Sequence, residues 1–259
     1  MLYDDEFIAR AIKGQYAEYG GKDDISLNFG QQILLYILKS GMVVSYAIIF
    51  ILCRLPLLSS LFETFARIYS RGAVGFFLRG AYYKNKLKKM GKNVFIDLGV
   101  NIWQPGNVEI DDYSFLDVYI TIYGGGKGHG CVKIGKYVDI APNCVLAGRG
   151  GIVLGDHIGI GAGSKIFSGT HHYKNPDGED DKLLGGSILE PSGAHYIVEK
   201  EVTIGDYAWM GINSIVLPGV KIGKGAVIGA NSLVNKDIPP FTVATGSPAK
   251  VIKNRPKIE

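Results

Sequence analysis

Two adjacent histidines stand in the stretch Thr170-His171-His172-Tyr173, and Asp177, Glu179, Asp180, Asp181, Glu190 and His195 follow close behind. An imidazole titrates near neutral pH, so a histidine mounted on a rigid edge can serve as a general base. The same residues admit other readings: an exposed polar loop, or a divalent-metal site built from carboxylates and imidazoles. On an extended segment successive side chains point to opposite faces, so His171 and His172 cannot chelate one ion together. Base catalysis and metal binding both remain open at this level. Cys53, Cys131 and Cys144 lack metal-ligand spacing and suit a reducing compartment rather than a disulfide framework. The glycine-rich run Gly124–Gly130 lacks the Lys-Ser/Thr ending of a phosphate loop and opens no helix. It reads as a corner loop.

What must position these residues is a repeat of six. Ile204, Met210, Val216, Ile222, Ile228 and Val234 follow one another at that interval. Neither a helix nor a simple exposed strand needs that period, whereas a parallel β-helix does, with one aliphatic side chain turned inward on each short flat face. The same phase runs earlier through Ile96, Ile102, Ile110, Leu116, Ile122, Ile134, Ile140, Leu146, Leu154, Ile160 and Ile166, and resumes from Val198. Its slips, from Ile102 to Ile110, Ile122 to Ile134 and Leu146 to Leu154, mark bulged corners. Its largest break, residues 167–197, carries His171. A long excursion from a regular solenoid is where function concentrates.

The 259 residues carry a net charge of +4. That mild, dispersed basicity comes with no recognition motif, which argues against nucleic-acid binding. The expected organisation is an N-terminal helical, apolar module over residues 1–92, a β-helix over 93–247 with the 167–197 loop, and a tail over 248–259. Residues 1–30 read as a short polar helix and loop, and Met1–Lys13 lacks the apolar core of a signal peptide. Ile33–Leu58 is strongly apolar but interrupted by Lys39 and Arg54. Three readings stand: an interfacial hairpin with Arg67, Arg71, Arg79 and the Lys84–Lys92 cluster turned to anionic headgroups; a cap packed on protein; or a spanning helix, which needs ~20 apolar residues.

Over roughly residues 90–255 the chain resembles the hexapeptide-repeat acyltransferases, the left-handed β-helix enzymes that include galactoside, maltose and exopolysaccharide O-acetyltransferases. The resemblance rests on Ser168–Tyr173, Ile204-Gly205-Asp206-Tyr207-Ala208-Trp209-Met210-Gly211, Val216–Gly223, Val227–Ser232, Asp237-Ile238-Pro239-Pro240 and Gly246–Ile252, in that order. Met210 stands for the usual Ile, and Thr170 for the usual Asn or Ser. The resemblance implies a mainly β, left-handed parallel β-helix, an acetyl-CoA donor, no metal, and a homotrimer with active sites between subunits. It also implies His171 as catalytic base. By motif position it implies a donor-binding path along Gly211, Ile212, Gly229, Ala230, Asn235 and Lys236, with Lys250 and Lys253 towards the CoA phosphates. The residue orienting His171 is not identified; Asp139, Asn143 and Glu190 are candidates.

The apolar N-terminal module lies outside the resemblance. It directs the expectation to a membrane-proximal saccharide acceptor, with peripheral membrane contact through residues 31–92, in the cytoplasm at the inner face of the cytoplasmic membrane. The expected activity is O-acetylation of a surface-polysaccharide, lipopolysaccharide or lipid-linked precursor. Two alternatives stand beside it. One is N-acylation of an amino sugar nucleotide. The other is a non-catalytic or metal-binding β-helix, such as a γ-type carbonic-anhydrase-like protein using His129, His157 and His171.

Overall fold

A computed structural model describes residues 2–13, 26–69, 71–126, 128, 130–172 and 196–256. Short parallel strands, most of two or three residues, stack into three long sheets. The first face runs from Lys89–Met90 to Lys221–Ile222, the second from Phe95–Ile96 to Lys250–Asn254, and the third from Asn101–Trp103 to Leu233–Val234. Each strand pairs with its counterpart one coil away, in register: Ile110 with Ile134, Ile160 with Met210, and Ile166 with Val216. The six-residue period is therefore the distance between faces. Ile110, Leu116, Ile122, Ile140 and Leu146 are fully buried along the axis, as are their later counterparts Met210, Val216, Ile228 and Val234. Each such side chain contributes roughly 1.5–3 kcal/mol of burial, but only when a neighbouring coil covers it.

Corners need residues that tolerate left-handed backbone. Between the first and second faces that role falls to Tyr113, Tyr137, His157 and Tyr207, at φ of 54–59°. Their rings form a continuous stack with centroids 5.0, 4.9 and 4.7 Å apart. Ring-on-ring contact offsets the backbone cost, so aromatic residues form these corners where asparagine serves at others, such as Asn143, Asn213 and Asn231.

Two expectations of the repeat are corrected. Val198 does not restart the coil; it pairs antiparallel with Thr170 in a two-stranded arm, and the inward series resumes at Val202 and Ile204. Residues 250–254 are not a free tail. They pair antiparallel with Thr242–Thr245 and finish the second sheet.

The N-terminal region holds α1 (Asp5–Ile12), α2 (Phe29–Leu52), α3 (Pro56–Ile68) and α4 (Ala73–Lys86). Asn28 begins α2 with a reciprocal capping box to Gln31, and Pro56 takes the first turn of α3, where its missing N–H costs nothing. The start of the chain is not simply polar: Leu2, Tyr3, Ile8 and Ala9 are buried. Tyr3 stacks on Phe95 at 5.4 Å and donates to the Phe76 carbonyl at 2.8 Å. Phe76 meets Phe95 edge-on, so α4 closes the open end of the solenoid.

The basic residues expected at headgroups are largely engaged by protein. Arg79 is fully buried, donating to the carbonyls of Ile96, Ala66 and Tyr69, with Asp97 at 3.6 Å. Arg71 pairs with Asp97, Lys88 with Glu109 and Lys89 with Asp111. Lys84 and Lys86 donate to the Met90 and Cys53 carbonyls.

Candidate active site

Phe167 ends a strand of the third face, and the chain then leaves the coil. Ser168 secures the exit: it is fully buried, its Oγ donates to the Ala147 carbonyl and accepts from Gly150 N–H, both at 2.9 Å. Lys200 N–H donates to the Ser168 carbonyl at 2.9 Å where the chain returns. Between these points Gly169–His172 pairs antiparallel with Tyr196–Glu199, setting Gly169 opposite Glu199 and His171 opposite Ile197. Arg149, on the coil beneath, forms an ion pair with Glu199. A Cβ at Gly169 would come 3.1 Å from the Arg149 side chain, so the arm sits directly on that arginine. The imidazole of His171 is exposed on this arm.

Asp177, Glu179, Asp180, Asp181, Glu190 and His195 lie outside the described residues, as does the side chain of His172. Asp139 and Asn143 do not share the arm: Asp139 is on the second face and Asn143 at the corner that opens the third. His157 is held between the rings of Tyr137 and Tyr207 at a different corner from the arm, so one chain does not bring His157 and His171 together. His129 is not among the described residues.

The residues on the expected donor path fall into two groups. Gly211, Ile212, Gly229 and Ala230 form a column at the corner that opens the third face. A Cβ on Gly211 would stand 2.5 Å from the Ala230 nitrogen, and one on Gly229 2.6 Å from Thr245 Oγ1. The coils there approach as closely as backbone allows, leaving a smooth wall from which Ile212 projects, 53 % exposed. Lys250, opposite Thr245, borders this wall. Asn235 and Lys236 follow Val234 at the other edge of the third face, the edge that carries the arm. Lys253 lies on the second face in a cavity of about 540 Å³ shared with Trp209, Val227 and Val243. Within one chain the wall and His171 thus occupy opposite edges of the third face.

Between them the third face carries aromatic residues that motif reading passed over. Trp103 stacks on Tyr123 with centroids 5.9 Å apart; the register continues through Ala147 to Phe167 at the foot of the arm. The signal was available, since each follows an inward aliphatic by one residue and so must point outward.

Comparison with known proteins agrees with the coiled fold. Residues 201–236 match the family model described as bacterial transferase hexapeptide (six repeats). A dTDP-4-amino-4,6-dideoxy-D-glucose acyltransferase of Escherichia coli is 31 % identical over 170 residues, which cover 66 % of this chain and 83 % of that protein. A galactoside O-acetyltransferase of Lactococcus lactis is 37 % identical over 143 residues, 55 % of this chain and 61 % of the relative. Among solved structures, AntD, an N-acyltransferase from Bacillus cereus crystallised with dTDP and coenzyme A, superposes with a TM-score of 0.58 at 25 % identity, over 67 % of this chain and 87 % of that one. With a relative matched along most of its length and a solenoid in register with the repeat, the chain belongs to the hexapeptide-repeat acyltransferase family.

Proposed function

We propose that the protein transfers an acetyl group from acetyl-CoA to a sugar hydroxyl of a surface-polysaccharide, lipopolysaccharide or lipid-linked precursor, with His171 as general base. The observation that carries this reading is the mounting of an exposed His171 on a braced arm at one edge of a face whose other edge is a wall of small residues. The reaction balances simply. His171 takes the proton of the acceptor hydroxyl as its oxygen attacks the thioester carbonyl; a C–O bond forms, the C–S bond breaks, and the imidazolium returns the proton to the thiolate. No covalent enzyme intermediate is needed.

The wall suits the donor. An extended, amide-bearing pantetheine arm needs a groove without side chains, which Gly211 and Gly229 provide; Ile212 and Ala230 supply apolar contact. Asn235 and Lys236 would lie further along, and Lys250 and Lys253 would meet the CoA phosphates. Because wall and base sit at opposite edges of one face, a complete site takes the wall of one copy and the arm of another. This supports a homotrimer with sites between subunits.

A second reading is favoured by one observation: the relative matched along 83 % of its length is named for an amino sugar nucleotide. In that reading the nucleophile is an amine and the product an amide. The deciding experiment is acetyl-CoA turnover against lipid-linked saccharides, free saccharides and dTDP-amino sugars, with His171→Ala as control. Ester formation on a saccharide supports the first reading; turnover confined to the amine replaces it with the second. Undiminished turnover by folded His171→Ala removes His171 from the mechanism under both. The setting we propose is the cytoplasm, peripherally at the inner face of the cytoplasmic membrane, where a lipid-linked acceptor would be met.

A further inference from the structure

Helix α2 has 24 residues, about 36 Å at 1.5 Å per residue, and is long and apolar enough to cross a membrane. How it is seated argues otherwise. Leu35, Lys39, Met42, Tyr46, Ile49 and Cys53 recur at three- and four-residue intervals and are all buried or half-buried. They form one stripe that packs on α1 and α4 from end to end. Lys39, the one charge within the helix, lies on that stripe, its ammonium 2.7 Å from Asp5 of α1. At the far end Lys86 of α4 donates to the Cys53 carbonyl at 2.9 Å. A crossing helix would draw α1, with its exposed Asp5 and Glu6, and the polar end of α4 into hydrocarbon.

The opposite side of α2 is apolar and open. Ile33, Ile37, Val44, Ile48 and Ile51 are 47–62 % exposed. Leu61 and Phe65 of α3 extend the surface beyond the turn at Arg54, at 61 % and 47 %. In the series Ile33, Ile37, Ser40, Val44, Ile48 and Ile51 only Ser40 is polar, with the exposed Tyr36 and Gln32 at its border and no charge. A face that joins two copies in water would carry a polar rim; here the charged residue has been turned inward and the outward stripe left bare.

We infer that α2 and α3 form a monotopic seat: α2 lies in the plane of one leaflet, its outward stripe sunk in the acyl-chain boundary, and crosses no bilayer. This deepens the peripheral-contact reading above and rests on it, but does not depend on the acyl-transfer chemistry. Because the nearby basic residues are mostly held by protein carboxylates and carbonyls, apolar insertion rather than anionic attraction drives the contact.

The test is flotation of the full chain with phosphatidylcholine vesicles, repeated with added phosphatidylglycerol and at high salt. The expected result is flotation on the zwitterionic vesicles, little changed by salt, falling about fivefold or more in Val44→Glu/Ile48→Glu. An unchanged melting temperature would establish that this variant folds. A second measurement fixes topology: in a chain with its native cysteines replaced by serine, Gln32→Cys and Ser60→Cys should both react with a membrane-impermeant maleimide added outside the vesicles. Protection of one would overturn the in-plane seat. So would flotation that needs anionic lipid, flotation undiminished in the double-glutamate variant, or no flotation together with a doubled mass in solution that the same variant abolishes. His171→Ala should float like the wild type while losing transfer, so failure of the seat and failure of the catalytic reading are separable.

Discussion

Cys144 sits in a column that runs along the corner opening the third face: Val100, Ile120, Cys144, Ser164, Ser214, Ser232. Its Sγ–H donates to the Gly161 carbonyl at 3.3 Å, as Ser164 donates one coil later to Gly211 at 3.1 Å. Burial pushes the thiol up to about 11, only partly offset by backbone hydrogen bonds. Cys144 should therefore resist maleimide in the native protein and react only on unfolding, as mass spectrometry can follow. Cys144→Ser, which reproduces the neighbouring serines, should shift stability by less than ~1 kcal/mol; a larger loss would contradict the equivalence of the column. At His171 the expected change is catalytic: His171→Ala should lower kcat by about 10²–10⁴-fold with melting temperature unchanged. The fully buried aliphatic positions were legible from the repeat phase, whereas the left-handed corners at Tyr113, Tyr137, His157 and Tyr207 emerged only from the backbone geometry. The proposed base, His171, was read only from its neighbours in sequence, because an exposed histidine has no periodicity to betray it.

At the scale of elements, the arm and the coil edge answer to different forces. The arm is braced from below by Arg149 against Glu199 and rooted by Ser168. Arg149→Ala should leave the coil intact yet loosen the arm, lowering kcat by about tenfold, with Arg149→Lys recovering part of the loss. Steady-state kinetics beside thermal melting would separate this from general destabilisation. The coil edge depends on close backbone approach. A Cβ at Gly205 would stand 2.6 Å from the Lys224 nitrogen, so Gly205→Ala should cost about 1–3 kcal/mol in denaturant unfolding. The arm strand 169–172 and the closing strand 250–254 both escaped the repeat because each pairs antiparallel, outside the coil phase.

For the whole molecule, Arg79 joins the helical region to the solenoid. It holds carbonyls of α3, of the residue after α3 and of the first coil while facing Asp97. Removing it leaves Asp97 in a buried setting with one fewer cation, and Arg79→Ala should cost about 3–5 kcal/mol. Light scattering checks the assembly: three copies of the 28.1 kDa chain are expected. A monomer with full activity would refute a site shared between subunits.

The six-residue period determined the solenoid, because one inward aliphatic per face is a local rule written into every coil. The ordered motifs laid over it determined the family. What the sequence could not decide was everything set by contact between distant segments. Arg71, Arg79, Lys88 and Lys89 read as a basic patch, yet each meets a carboxylate more than fifteen residues away. Lys39 read as a flaw in an apolar helix until the fold set it against Asp5. Charge is countable in a sequence, but whether it faces lipid, water or a partner depends on chain geometry, and that only the tertiary structure supplies.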